Sequence, residues 1–401
     1  MCEPLMLKAA QNMGGYSFDG VFKNVGSILE KSDYVIGNLE TPLAGKNARY
    51  VDELFSFNAP DEFAKAIRDA GINFVSTANN HCMDRGLDGL VRTIKVLDEI
   101  GLARDGTYTK CEEAKHPFIT YVDEVKIAII PFTYGINYAN HHRRLPNEKY
   151  VNLLRPYTEN NYILNKSIIK IINGFIFKAL KREQIVSIKK FLGLTYNSPK
   201  RDDYLDENTI EPYFNVLNEV IKEAKRLADV VIFLPHLGGQ FNIEPGVFSQ
   251  FVVRKAVEMG ADIVIGSHPH IVQSATVIDN CPVFYSIGNF TMSPNSCYLL
   301  HEHFPDMGLV VHLYLDLKRI IKITFSIVMM VENNEDILTV WPVDKLYHYQ
   351  DEKERTNMED KVKRLLSTVY QGNIGERVDD IIKSEYIFVN RGNNKEFKKK
   401  N

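Results

Sequence analysis

Six times along this chain a short strand-like run gives way to a loop rich in Asn, His and Gly, and that recurrence limits the fold more than any other feature. The loops read Gly37-Asn38-Leu39-Glu40, Asn79-Asn80-His81 with Asp84, Thr133-Tyr134-Gly135, Pro235-His236, Gly266-Ser267-His268-Pro269-His270, and Ser286-Ile287-Gly288-Asn289-Phe290. Parallel α/β sheets gather the loops at the carboxyl ends of their strands, so polar groups carried there converge on one place. A single His at a strand end is ordinarily a hydrogen-bonded loop residue. Two imidazoles at i and i+2 around Pro269, after the apolar Ile263-Val264-Ile265, are poorly placed for a core and well placed to grip a cation.

The intervening segments carry the rhythm of such a fold. Asp33 to Ile36, Ile72 to Ser76 and Lys126 to Pro131 read as strands. Asp61 to Ala70 reads as a helix closed by Gly71, and Gly86 to Ile100 as one closed by Gly101. The pattern resumes with a helix at Glu219 to Ala228, a strand at Asp229 to Leu234, a helix at Phe251 to Met259, and strands at Asp262 to Ile265 and Pro282 to Tyr285. Longer strand-like runs follow, Leu309 to Leu317 and Ile320 to Val331, as in an antiparallel elaboration. The expected division is therefore a main domain over 1–310, with an insert at about 141–210, and a C-terminal elaboration over 311–401 ending in a basic tail.

That insert is unusual. Between Asn161 and Arg201 lie nine Lys or Arg residues against the single acid Glu183, interleaved with Ile, Leu and Phe as in basic amphipathic helices. Such a segment suits an anionic membrane surface or a lid over the site as well as it suits a solvated helical insertion. The chain as a whole carries a net charge of −3, so nucleic acid is not expected as a partner. The five cysteines, Cys2, Cys82, Cys111, Cys281 and Cys297, show no CxxC spacing, which argues against a disulfide framework or thiolate zinc. Cys82 reads as a packing residue rather than a reactive thiol. No stretch approaches the roughly 18 apolar residues of a membrane span. The chain as printed is expected in the cytoplasm, or membrane-associated or extracytoplasmic if a segment precedes Met1.

Glu40, Asn80, His236, His268 and His270 together mix oxygen and imidazole donors, which suits one or two divalent ions of Mn, Fe or Zn. Asp84, a turn beyond His81, can orient that imidazole, either as a general acid or as a brace for the ligands. Asn38, Asn79, Tyr134, Ser267 and Asn289, on the same loops, are candidates for touching substrate or supporting the ligands.

Phe18 to Phe22, Tyr34 to Ala44, Asn79-Asn80-His81 with Asp84-Arg85-Gly86, Thr133-Tyr134-Gly135, Gly266 to Gln273 and Tyr285 to Phe290 resemble, in this order, the CapA family of capsule and poly-γ-glutamate synthesis proteins. The resemblance covers about residues 15 to 310. It implies a metallophosphoesterase-type α/β/β/α sandwich of four layers with a metal centre at the strand ends. By the same resemblance Glu40 would be the metal-bridging carboxylate, Asn80 the metal-binding asparagine, and His236, His268 and His270 further ligands. His81, oriented by Asp84, would be the proton donor or transition-state stabiliser. The expected function is a metal-dependent hydrolase or transferase acting on an anionic polymer or a phosphoester. The alternative is a non-catalytic, polymer-binding accessory of the capsule machinery.

The chain departs from the family pattern twice. His236-Leu237-Gly238 stands where the family has His-Trp-Gly, which changes a pocket wall and no ligand. Met1 to Gly15 shows no strand ending in Gly-Asp, so the expectation is either an upstream start or an impaired, weak or mononuclear, metal site.

Overall fold

The computed structural model describes residues 1–50, 56–110, 116–137, 147–156, 202–203, 206–296, 303–316, 318–333, 337–371 and 381–390. The basic stretch 161–201, Cys111, Cys297 and the tail 395–401 lie outside the described residues.

The chain opens on α1 (Pro4–Ala10), a two-residue hairpin of β1 (Gln11–Asn12) and β2 (Gly15–Tyr16), and the short helices α2 (Asp19–Phe22) and α3 (Gly26–Leu29). As expected, Met1 to Gly15 contributes no strand to a site-bearing sheet. Three parallel strands follow: β3 (Ile36–Asn38), β4 (Phe74–Ser76) and β5 (Ala103–Asp105). Between them run α4 (Asp61–Asp69) and α5 (Gly86–Glu99). Leu90, Thr93, Ile94 and Leu97 fall at helical spacing and are all buried, which is why α5 is an amphipathic helix.

The larger sheet contains β6 (Phe118–Val122), β7 (Val125–Thr133), β8 (Val230–His236), β9 (Ile263–Ile265), β10 (Ala275–Ile278) and β11 (Cys281–Phe284), in the order β10-β11-β9-β8-β7-β6. Its four inner strands run parallel and its two edge strands antiparallel. Alternation along β7 sends Ile127 and Ile129 into one core and Ala128, Ile130 and Phe132 into another. Both faces are covered, and the sequence accordingly reads as an unbroken apolar run. One face meets α6 (Glu207–Leu227) and α7 (Val247–Met259) through Leu217, Ile221, Phe248 and Val252.

The other face packs on an antiparallel sheet of β12 (Met307–Asp316), β13 (Arg319–Glu332), β14 (Leu338–Pro342) and β15 (Tyr386–Asn390), with Ile323, Phe325 and Ile327 in the shared core. The opposite side of that sheet, through Val328, Met330 and Val340, meets α1 to α4. Two further helices, α8 (Val343–His348) and α9 (Glu352–Val369), follow β14, and α9 adds Val362 and Leu366 to the inter-sheet core. The fold is the mixed α/β class expected from the sequence.

The largest difference from the sequence reading is α6, which starts at Glu207 rather than Glu219. Pro212 lies inside it and reads locally as a breaker, a defect of about 3 kcal/mol in a helix interior. The buried series Ile210, Phe214, Leu217, Val220, Ile221 and Ala224 runs straight across that position, and Asp206 caps the first turn by accepting from the Asn208 N–H. Tertiary burial overrides the local preference.

Candidate metal centre

The carboxyl ends of β3 and β4 and those of β8, β9 and β11 deliver their loops to a common buried region. Glu40, Asn80, His81, His236, His268 and His270 are each at most 6% exposed, so their polar groups must find partners inside the protein.

One carboxylate oxygen of Glu40 and one ring nitrogen from each of His236 and His268 all lie within 4.8 Å of one another. His236 Nε2 is 3.5 Å and His270 Nε2 3.7 Å from Glu40 Oε1. Yet Oε1 is buried and accepts no hydrogen bond. A buried carboxylate oxygen that accepts no hydrogen bond is costly to maintain, and a cation held between it and the imidazoles would offset that cost. The donor chemistry, one carboxylate with several imidazoles, fits a borderline divalent ion.

The backbone carries strain at the same place. His268 has φ 104° and His270 φ 61°, both in the region where a side chain is disfavoured and glycine would be easier. Imidazoles held there against that preference point to a role for the rings themselves.

Each imidazole is braced. Ser267 Oγ lies 2.9 Å from His236 Nδ1, and Asn80 Oδ1 lies 2.8 Å from His236 Nε2. Ligation through Nε2 requires the ring proton to sit on Nδ1, where Ser267 Oγ can accept it. Asn289 Oδ1 is 3.0 Å from His270 Nδ1, and its amide donates to the carbonyls of His270 and Pro305, both at 2.8 Å. Tyr134 packs its ring 4.6 Å from that of His268. Asn79 donates to Leu39 O at 2.8 Å and to Asn38 Oδ1 at 3.3 Å, which ties the loop bearing Asn80 to the loop bearing Glu40. Asn38 thus serves Asn79 and does not join the imidazole cluster.

His81 and Asp84 form a separate pair, with Nδ1 and Oδ2 2.6 Å apart. The same Oδ2 accepts the Phe57 N–H at 2.7 Å, so the carboxylate is fixed from both sides. Burial alone would lower the pKa of His81, but the attraction and hydrogen bond of Asp84 outweigh it and raise the value. His270 moves the other way, since burial pushes it down against the pull of Glu40. Burial opposes ionisation of Glu40, yet the charges of His236 and His270 hold its carboxyl well below the usual range. These directions favour the ionised form of Glu40, the neutral form of His270 and the proton-bearing form of His81.

Four contributors escaped the sequence reading. Asn137 is 3.2 Å from His81 Nδ1 and 3.3 Å from Nε2, accepts from the Asn80 amide at 3.2 Å, and ties its own N–H to Asn80 O. Its position two residues after Gly135 was the available signal. Phe57 stands edge-on to His81 at 4.5 Å, and Phe241 lies 5.7 Å from the ring of His270. Arg155, only 3% exposed, donates to Tyr134 O and lies over the rings of Tyr134 and Phe248 at 5.2 and 4.6 Å. No local pattern marks a buried arginine of this kind. Cys82 is buried with its thiol pushed up to about 12 by desolvation, which leaves it a packing residue.

Residues 1–294 match the pattern of a family described as bacterial capsule synthesis protein PGA_cap. The chain is 26% identical over 309 residues to the capsule biosynthesis protein CapA of Bacillus anthracis, covering 74% of this chain and 60% of that protein. It is 26% identical over 275 residues to the PGA biosynthesis protein CapA of Bacillus subtilis, covering 68% of this chain and 56% of that one. An uncharacterized protein of Sinorhizobium fredii is 25% identical over 295 residues, covering 67% of this chain and 61% of its own length. The matched region thus spans about three fifths of the length of these relatives.

Proposed function

The chain belongs to the bacterial capsule synthesis protein family PGA_cap, and on that premise we propose that it is a metal-dependent hydrolase or transferase in the synthesis of a capsule or cell-envelope polymer. The substrate is an anionic polymer of poly-γ-glutamate type or a phosphoester. The observation that supports this reading best is the buried Glu40 oxygen that has no hydrogen bond and faces His236 and His270 at 3.5 and 3.7 Å.

Glu40, His236 and His268, with His270 and Asn80 beside them, would hold the ion, and Mn, Fe or Zn suits this donor set. Such an ion, when bound, lowers the pKa of a water and offsets negative charge on a substrate oxygen. The protein's own groups do the rest. His81 has Nδ1 engaged by Asp84, so Nε2 is the atom that gives a proton to the leaving oxygen. Asp84, held by the Phe57 N–H, stabilises the imidazolium before transfer and fixes the ring in the orientation that transfer needs. Asn137, in contact with both His81 nitrogens and with Asn80, sets the distance between the proton donor and the ligand loop.

The test is turnover of an aryl phosphodiester, and release of glutamate from poly-γ-glutamate, by the purified chain with Mn²⁺ or Zn²⁺. His81→Ala should lower the rate by about 10²- to 10⁴-fold while metal stoichiometry stays the same. A rate untouched by that substitution refutes the mechanism. A second reading, a polymer-binding accessory without turnover, is favoured by one observation: among the described residues the cluster holds a single carboxylate. Polymer binding with no metal uptake would select it.

A further inference from the structure

Arg155 is 3% exposed, and taking a guanidinium out of water is costly enough that arginine is seldom so deeply buried without partners that hold it. The residues just before it bring it there. Thr133, the last residue of β7, donates its N–H to Asn152 O and accepts the Leu154 N–H, both at 2.8 Å, so this stretch runs along the carboxyl end of β7 and Arg155 arrives beside Tyr134. The Asn152 amide adds bonds to Pro131 O at 3.1 Å and to the Tyr108 hydroxyl at 3.0 Å, which fix the approach.

The guanidinium lies over two buried rings, 4.6 Å from the centre of Phe248 and 5.2 Å from that of Tyr134, and its Nε donates to Tyr134 O at 3.2 Å. Phe248 is a fixed platform. It stands in the first turn of α7, where the buried Asp202 accepts the N–H and the hydroxyl of the neighbouring Ser249 at 2.9 and 2.6 Å. Tyr134 is the platform that touches the centre, and it does so twice: its N–H donates to His236 O at 2.9 Å, and its ring lies 4.6 Å from that of His268.

His268 depends on such a wall. Ser267 and Asn289 stand at hydrogen-bond distance from the rings of His236 and His270, whereas His268, at φ 104°, carries its ring against aromatic neighbours, Tyr134 at 4.6 Å and His236 at 4.8 Å. Packed rings slide and tilt more easily than hydrogen-bonded ones. A guanidinium counters this in two ways at once, because it attracts the face of the Tyr134 ring and its rigid fork places an N–H on the carbonyl of the same residue. An aliphatic side chain of similar volume fills the space and does neither.

We propose that Arg155 is a positioning residue of the metal centre: it fixes Tyr134, and Tyr134 holds the His268 imidazole in the orientation that brings a ring nitrogen within 4.8 Å of Glu40 and His236 ligand atoms. The inference rests on the reading of these three residues as metal ligands.

Two measurements on the full chain test it. In the metal-free protein, the imidazole nitrogen resonances of His268, assigned by their loss in His268→Ala, report on that ring alone. Arg155→Met should move them and leave those of the exposed His116 and His348 in place, which shows that the fold is kept. Calorimetric titration with Mn²⁺ should give about tenfold weaker binding in Arg155→Met and in Tyr134→Leu, as for loss of a group that orients a ligand. The double variant should lose no more than either single one, because both act through the same ring. Arg155→Lys, which keeps the charge without the planar fork, should bind as weakly as Arg155→Met, and it carries the test if the Met variant does not fold. An unmoved His268 signal or parental affinity in Arg155→Met overturns the proposal, as do additive losses of about a hundredfold in the double variant. Parental affinity in Arg155→Lys shows that charge alone suffices and overturns it too. A parent chain that takes up no Mn²⁺, Fe²⁺ or Zn²⁺ refutes the metal reading, and the His268 signal of the metal-free variants then decides the role of Arg155.

Discussion

Asp105, at the end of β5, should make the protein less stable as pH rises from 4 to 8, and Asp105→Asn should remove that dependence. The side chain is 7% exposed; Oδ1 accepts from the Tyr108 hydroxyl at 2.8 Å, while Oδ2 is buried and accepts nothing. Burial raises its pKa from 3.8 to about 6, against the lowering effects of the Gly106 N–H and Tyr108. The folded state therefore holds this proton between those two values while the unfolded chain has released it. With the native state binding more protons, stability falls as pH rises, at up to about 1.4 kcal/mol per pH unit, and a shift of this size sums to about 3 kcal/mol by pH 8. Asparagine keeps the oxygen that Tyr108 needs and cannot ionise. It leaves an amide where Oδ2 was, which costs about 1–2 kcal/mol at every pH. Urea unfolding of both proteins, followed at intervals from pH 4 to pH 8, gives the difference curve. The variant should be slightly less stable than the parent at pH 4 and more stable at pH 8, with the crossover at about pH 4.5 to 5.5. A difference that does not change across this range refutes the argument, because every other titrating group is common to both proteins.

Two further outcomes follow from the same geometry. A Cβ at Gly266 would stand 2.1 Å from the Tyr285 carbonyl oxygen and 2.9 Å from its carbon, so Gly266→Ala must push the ends of β9 and β11 apart. The expected loss is about 1–3 kcal/mol, together with weaker metal binding, since Ser267 and His268 come next; an unchanged melting temperature counts against so close an approach. Mn²⁺ at a hundred times its dissociation constant should stabilise the protein by about 2.7 kcal/mol. His268→Ala should abolish that gain, and Ser267→Ala should weaken affinity about tenfold. A melting temperature indifferent to Mn²⁺, Fe²⁺ and Zn²⁺ argues against the centre altogether.

Much of this protein is written locally. The Gly71, Gly101 and Gly260 stops, each at positive φ, end α4, α5 and α7 close to where the sequence places them. Apolar runs such as Ile127 to Ile130 announce strands buried on both faces, and polar loops after such runs announce a ligand edge. These are properties of neighbouring residues and of two backbone periods, so a linear reading captures them. The same reading named Glu40, Asn80, His81, Asp84, His236, His268 and His270, because their residue types and strand-end positions are local too.

What the sequence leaves undetermined depends on contacts between distant segments. That Glu40 stands against His236 and His270, that Ser267 braces His236, and that Asn38 serves Asn79 follow from strand order and from how the sheets are stacked. Pro212 ends a helix by local rules and fails to do so here, because the buried face of α6 continues past it. Asn137 and Arg155 acquire their partners, and Arg254 and Arg364 come to line one cleft, only once the chain has folded. Local chemistry sets which side chains are available, and the packing of elements far apart in sequence sets which of them meet.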